Sequence, residues 1–142
     1  VQHLGLVSVV VRDYDEAISF YTKVLGFNLI EDTVLDENKR WVVVAPPGAR
    51  ETGVLLARAS TPTQARRIGD QTGGRVFLFL FTDDLPRDYE RLRQTGVRFT
   101  ERPRRETYGD VVVFEDLYGN RWDLIQAATG AITTSTAHHP AT

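Results

Sequence analysis

"VVVRDYDEAISFYTKVLGF" (residues 9–27) reads as the end of a strand, a capped helix and the start of a second strand. Consecutive valines favour extended chain. Asp13, with Glu16 three residues later, is a capping-box start. Ala17, Ile18, Tyr21, Val24 and Leu25 then recur at helical spacing and form one apolar stripe. Gly26 supplies the left-handed residue that ends such a helix. The same grammar returns in "FTDDLPRDYERLRQTGV" (residues 81–97). There Asp84 caps, Pro86 is tolerated in the first turn, Leu85, Tyr89 and Leu92 make the stripe, and Gly96 closes it.

Working outward, each helix sits in a matching series of strands, and internal similarity of this kind sets the organisation of a chain. The first half runs "LGLVSVVV" (4–11), helix, "FNLIED" (27–32), "RWVVVAP" (40–46) and "GVLLARA" (53–59). The second runs "RVFLFLFT" (75–82), helix, "VRFTER" (97–102), "DVVVFED" (110–116) and "NRWDLIQA" (120–127). The order is βαβββ twice. This predicts an α+β chain of two modules, residues 1–59 and 74–127. Residues 60–73 are the linker, and 128–142 form a tail with little to bury, expected to be disordered. "DLYGN" (116–120) is the turn between the last two strands.

Bulk properties narrow the function. The chain has 142 residues, 42% of them hydrophobic and 25% charged, with 17 basic against 19 acidic side chains. A net charge of −2 gives no footprint for nucleic acid or an acidic membrane. The run Arg102-Pro103-Arg104-Arg105, followed by Glu106, reads as a solvated turn. The absence of cysteine excludes disulfides, thiolate metal sites and cysteine nucleophiles. No apolar run approaches the roughly 20 residues needed to span a bilayer, and Val1-Gln2-His3-Leu4 lacks the basic head of a signal peptide. A cytoplasmic location is the expectation.

Alternation along a strand puts Phe77, Phe79 and Phe81 on one face and Leu78 and Leu80 on the other. Both faces are apolar, so both are expected to be covered. The phenylalanines either fill a core or line a cavity. The same parity groups Leu6, Ser8 and Val10. Asp123 stands alone among Trp122 and Leu124 in a strand that otherwise reads as core, and a buried carboxylate needs a partner.

In "VVVRDYDEAISFYTKVLGF", "FTDDLPRDYERLRQTGV" and "VVFEDLYGNRWDLIQ" (112–126) the chain resembles the vicinal oxygen chelate superfamily of glyoxalases, bleomycin-resistance proteins and ring-cleaving dioxygenases. The resemblance covers most of residues 3–127. It implies two βαβββ modules whose mixed sheets curl around a shared cavity, commonly within a homodimer. The family's enzymes hold a divalent metal through four side chains, one from the first and one from the last strand of each module. By resemblance these positions fall on Leu6, Leu55, Phe77 and Asp123. Three are hydrocarbon, and one carboxylate is not a metal site. No cofactor is therefore expected, with a divalent metal as the alternative. His3 falls on the opposite strand face from Leu6 by parity, and His138 and His139 lie in the tail.

The resulting expectation is a metal-independent protein that binds an aromatic or planar small molecule, with sequestration as its concrete form. The expected ligand-binding set is Leu6, Ser8, Trp41, Leu55, Phe77, Phe79, Phe81, Tyr108, Arg121 and Asp123. Asp123 is either a structural or ligand-orienting group or a catalytic acid–base. Pairing with Arg121 would lower its pKa, whereas burial among aromatics would raise it. Ser8 has no adjacent histidine to activate it. The linker, with Arg66 and Arg67, is either a lid or a solvated loop. The alternative function is a lyase, isomerase or dioxygenase of the same superfamily, metal-dependent or using Asp123.

Overall fold

The computed structural model describes residues 1–128. The tail from residue 129, including His138 and His139, lies outside the described residues. Strand β1 (Leu6–Val11) leads through the Asp13 cap into α1 (Tyr14–Ser19), where the Asp13 carboxylate accepts from Glu16 N at 2.8 Å. Strands β2 (Asn28–Asp36), β3 (Lys39–Ala45) and β4 (Gly53–Arg58) complete the first unit. Helix α2 (Pro62–Ala65) interrupts the linker. The second unit has β5 (Val76–Phe81), α3 (Leu85–Gln94), β6 (Arg98–Phe99), β7 (Arg104–Glu106), β8 (Gly109–Glu115) and β9 (Arg121–Ala127).

These strands make two mixed sheets. One has the order β1-β4-β3-β2, and the other β5-β9-β8-β6, with β7 also on β8. In each, the first strand runs parallel to the last, Ser8 beside Leu55 and Phe79 beside Asp123. The helices cover one face of both sheets, and their apolar stripes merge there into a single core. Val9, Val11, Val42, Val44, Val54 and Leu56 meet Val112, Phe114, Trp122 and Leu124 over Tyr21, Leu25, Leu85 and Leu92. Period-2 alternation selects these residues.

Three local features depart from simple periodicity. Helix α1 continues as a π-helical turn (Phe20–Val24), in which Leu25 N donates to Phe20 O at 2.9 Å. A register shift between Val76 and Leu78 on β5 turns Phe77 out of step, so it packs edge-on against Trp122, with ring centroids 6.2 Å apart. Phe77 therefore lies on the helix side with Leu78 and Leu80, and the three phenylalanines do not share a face. The second strand of the second unit is broken between β6 and β7, where Pro103 has no N–H for a ladder.

The two units are joined by buried polar chemistry as well as by apolar packing. Tyr21, fully buried on the helix of the first unit, donates to Asp116 Oδ2 of the second at 2.7 Å. Asp116 also accepts from Asn120 Nδ2, from Asn120 N and from Tyr118 N, each at 3.0 Å. The turn 116–120 is thus wound around one carboxylate. The Tyr118 hydroxyl returns the tie, donating to Glu16 Oε2 at 2.6 Å. The linker is pinned to the same place. Gln71 N donates to Asn120 Oδ1 at 3.3 Å while Gln71 Oε1 accepts from Val10 N at 2.6 Å. Gly69, at φ +75°, lies so close to the Tyr118 carbonyl that a Cβ would fall 2.0 Å from its oxygen.

Removing this carboxylate leaves buried donors without a partner. Asp116→Ala is expected to destabilise the protein by about 3 kcal/mol or more, and Tyr21→Phe by roughly 1.5–3 kcal/mol. In urea unfolding the double variant should lose less than the sum of the two.

Candidate functional site

The faces away from the helices carry the candidate site. On the first sheet, Leu6 stands over Gly53 and Ser8 beside Leu55, and Leu55 pairs with Val43. A Cβ added at Gly53 would meet Leu6 and Val43 side chains at 3.2 and 3.0 Å. Trp41 shares the Val43 face by alternation and is half-buried. Leu6 is 39% exposed, and Ser8 is exposed with no side-chain hydrogen bond among the described residues.

On the second sheet the corresponding face holds Phe79 and Phe81 on β5, Arg121, Asp123 and Ile125 on β9, and Val111 and Val113 on β8. Val111 and Ile125 are buried, yet they stand outside the helix-side core, so they form the floor of this second face. Phe79 is the opposite: 56% exposed, a large ring open to solvent beside Asp123. Phe81, half-buried, adjoins Ile125. Tyr108 lies exposed in the turn before β8, and Arg121 is exposed at the start of β9, where it reaches the Gly74 carbonyl at 3.4 Å.

Asp123 is only 6% exposed, and its Oδ1 is fully buried without a hydrogen-bond partner. Arg121 does not pair with it. Loss of solvation raises the Asp123 pKa above the ordinary carboxylate value. The nearby Arg104 charge partly offsets this, and Glu101 adds to it. These two neighbours come from the break in the second strand. With the ladder interrupted, Glu101 Oε2 takes the place of a strand carbonyl and accepts from Val113 N at 3.3 Å, beside the Val113–Asp123 pair. Arg104, at the start of β7, binds the Glu101 carboxylate and donates from Nε to Glu106 Oε2 at 2.8 Å. The sequence reading of residues 102–105 as a solvated turn missed this cluster. The available signal was Glu101-Arg102-Pro103-Arg104, a proline that must break a strand with opposite charges on either side.

The four positions at which the resemblance places metal ligands hold Leu6, Leu55, Phe77 and Asp123, and Phe77 faces the helices. This donor set does not fit a divalent metal. Among the described residues, no three His, Asp or Glu side chains are grouped to hold one. The linker carries Arg66 and Arg67 on its exposed side, while Gln71 and Gly69 tie it to the β8–β9 turn.

Two βαβββ sheets, each with its last strand parallel to its first, define the architecture. A family model, the glyoxalase/bleomycin resistance protein/dioxygenase superfamily, matches residues 2–124. The chain belongs to that superfamily. It is 58% identical over 126 residues to an uncharacterized protein of Shewanella frigidimarina (strain NCIMB 400), covering 88% of this chain and 93% of that one. Among solved structures it is similar to UcmS2, with 31% identity and a TM-score of 0.78, over 89% of this chain and 98% of the other. It is also similar to TnmS3, an antibiotic binding protein from Streptomyces sp. CB03234, with 34% identity and a TM-score of 0.73, over 90% and 98%.

The buried, unpartnered carboxylate gives a stability signature of unusual sign. A raised pKa means that the folded state binds more protons than the unfolded one between the two pKa values. Asp123 therefore opposes folding above its folded pKa, and the penalty disappears below its unfolded pKa. Asp123→Asn is expected to stabilise the free protein by roughly 1 kcal/mol at pH 7. In urea unfolding at several pH values, that gain should shrink toward zero near pH 3.

Proposed function

We propose that the protein binds an aromatic or planar small molecule on these open faces without a metal, in the manner of a sequestering protein. The observation that carries this reading is the composition of the faces. Leu6, Leu55, Trp41, Phe79 and Phe81 provide apolar surface, with Asp123 as a single buried polar anchor. Apolar walls with few polar groups are the usual chemistry of a small-molecule site. Hydrocarbon at three of the four metal-ligand positions supports independence from a metal. The similarity to an antibiotic binding protein supports a small-molecule ligand.

A homodimer belongs to the same proposal. Leu6 and Phe79 are exposed on the inner faces, and Leu29, Ile30, Val34 and Leu35 are exposed along the edge strand β2. Exposed apolar side chains of this number favour association. Sedimentation equilibrium is expected to give twice the chain mass.

The neutral probe 9-(hydroxymethyl)anthracene tests the binding reading. It is expected to bind saturably, unchanged by EDTA, and Phe79→Ala should weaken it by about tenfold through loss of ring contact. Unaltered affinity in that variant would remove Phe79 from the site. Affinity that appears only with an added divalent ion would replace the reading with a metal-dependent one.

The raised pKa of Asp123 supports a second reading, an enzyme that uses this carboxylate as general base. Its mark would be turnover with a carboxylate limb in the pH–rate profile, lost in Asp123→Asn.

A further inference from the structure

The buried carboxylate and carboxamide side chains among the described residues are Asp116, Asn120 and Asp123. The first two are saturated by one another, by Tyr21 and by the backbone of the turn. Asp123 is the exception. Its Oδ1 has no donor, although burying an ionised carboxylate without one is costly. A fold that satisfies one buried carboxylate with four donors leaves the other without a donor on Oδ1, beside an exposed aromatic ring.

The surroundings specify the sign of the missing partner. Arg104 is the cation whose field reaches Asp123, and its guanidinium is already engaged by Glu101 and Glu106. Three carboxylates, Asp123, Glu101 and Glu106, stand against the Arg104 guanidinium, the adjoining Arg105 being paired with Asp110, which leaves this group negative. Arg121 shares the face but extends to the Gly74 carbonyl at the far end of β9. An anionic group would therefore meet repulsion. A bare metal ion would find one free carboxylate, since Glu101 is held by Val113 N and Arg104. A protonated nitrogen needs only an acceptor within reach and an aromatic face nearby, and it makes the stronger, charge-assisted bond to a carboxylate.

We propose that the ligand is a planar aromatic cation, whose protonated nitrogen pairs with the under-satisfied carboxylate of Asp123 while its ring system lies on Phe79. This rests on the binding reading above and adds the charge of the ligand to it. Glu101 strengthens the anchor by its field, and Arg104 holds Glu101 in place.

The test is a matched trio on one ring system, titrated calorimetrically at neutral pH: 9-(aminomethyl)anthracene, 9-(hydroxymethyl)anthracene and 9-anthracenecarboxylate. The amine is expected to bind about tenfold tighter than the alcohol, with the carboxylate weakest. Asp123→Asn should bring the amine-to-alcohol ratio close to one. Melting curves are recorded alongside. If that variant does not fold, the ratio is read in Glu101→Gln, where it should fall by about threefold. Equal binding of amine and alcohol, a preference for the carboxylate, or a ratio indifferent to these substitutions overturns the proposal while leaving aromatic binding intact. If none of the three binds, both readings fall.

Discussion

One hydrogen bond, from Tyr21 to Asp116, organises the molecule. It crosses between the two halves of the chain, 95 residues apart in sequence, inside a core shared by both. Burial raises the Tyr21 pKa, and the adjoining carboxylate raises it further, so the hydroxyl keeps its proton and stays a donor. Because Asp116 also winds the 116–120 turn, the pairing of β8 with β9 and the docking of the first helix depend on the same oxygen atoms. The ring of Tyr21 adds packing against Phe27 and Trp122, with centroids 5.8 and 6.1 Å away. With that side saturated, the chemistry of the protein is confined to the other faces of its sheets.

The contrast between two aspartates describes the division of labour. Asp116 and Asp123 lie seven positions apart and are both buried, yet the first has every donor it needs and the second has none on Oδ1. Alternation along β9 sends Trp122 to the core and Asp123 to the opposite face. An unsatisfied carboxylate weakens the free protein, and a bound donor would recover that loss. The same atom therefore links the stability of the free protein to the proposal of a cationic ligand.

Superfamily membership rests on the backbone, and the ligand positions differ in their side chains. The backbone keeps the first and last strand of each sheet side by side, the arrangement in which the resemblance places four ligands. The side chains at these places are Leu6, Leu55, Phe77 and Asp123. The scaffold persists with hydrocarbon at three of its four ligand positions. Hydrocarbon occupies the places where donor atoms would stand.

Local pattern was enough to fix much of this. The Asp13 and Asp84 caps, the two glycine stops and the valine runs encode the repeated βαβββ order, since each depends on neighbours within a few residues. Alternation likewise determined that Asp123 and Trp122 part company, and that Leu6 and Ser8 share a face. What only the tertiary structure decided came from interruptions in the pattern. A one-residue shift on β5 sent Phe77 to the core and left Phe79 open, because slipping a strand by one position exchanges its faces. The break before β7 brought Glu101 and Arg104 beside Asp123, which no spacing along the chain discloses. Whether a buried carboxylate is satisfied depends on groups far away in sequence, and only packing brings those together.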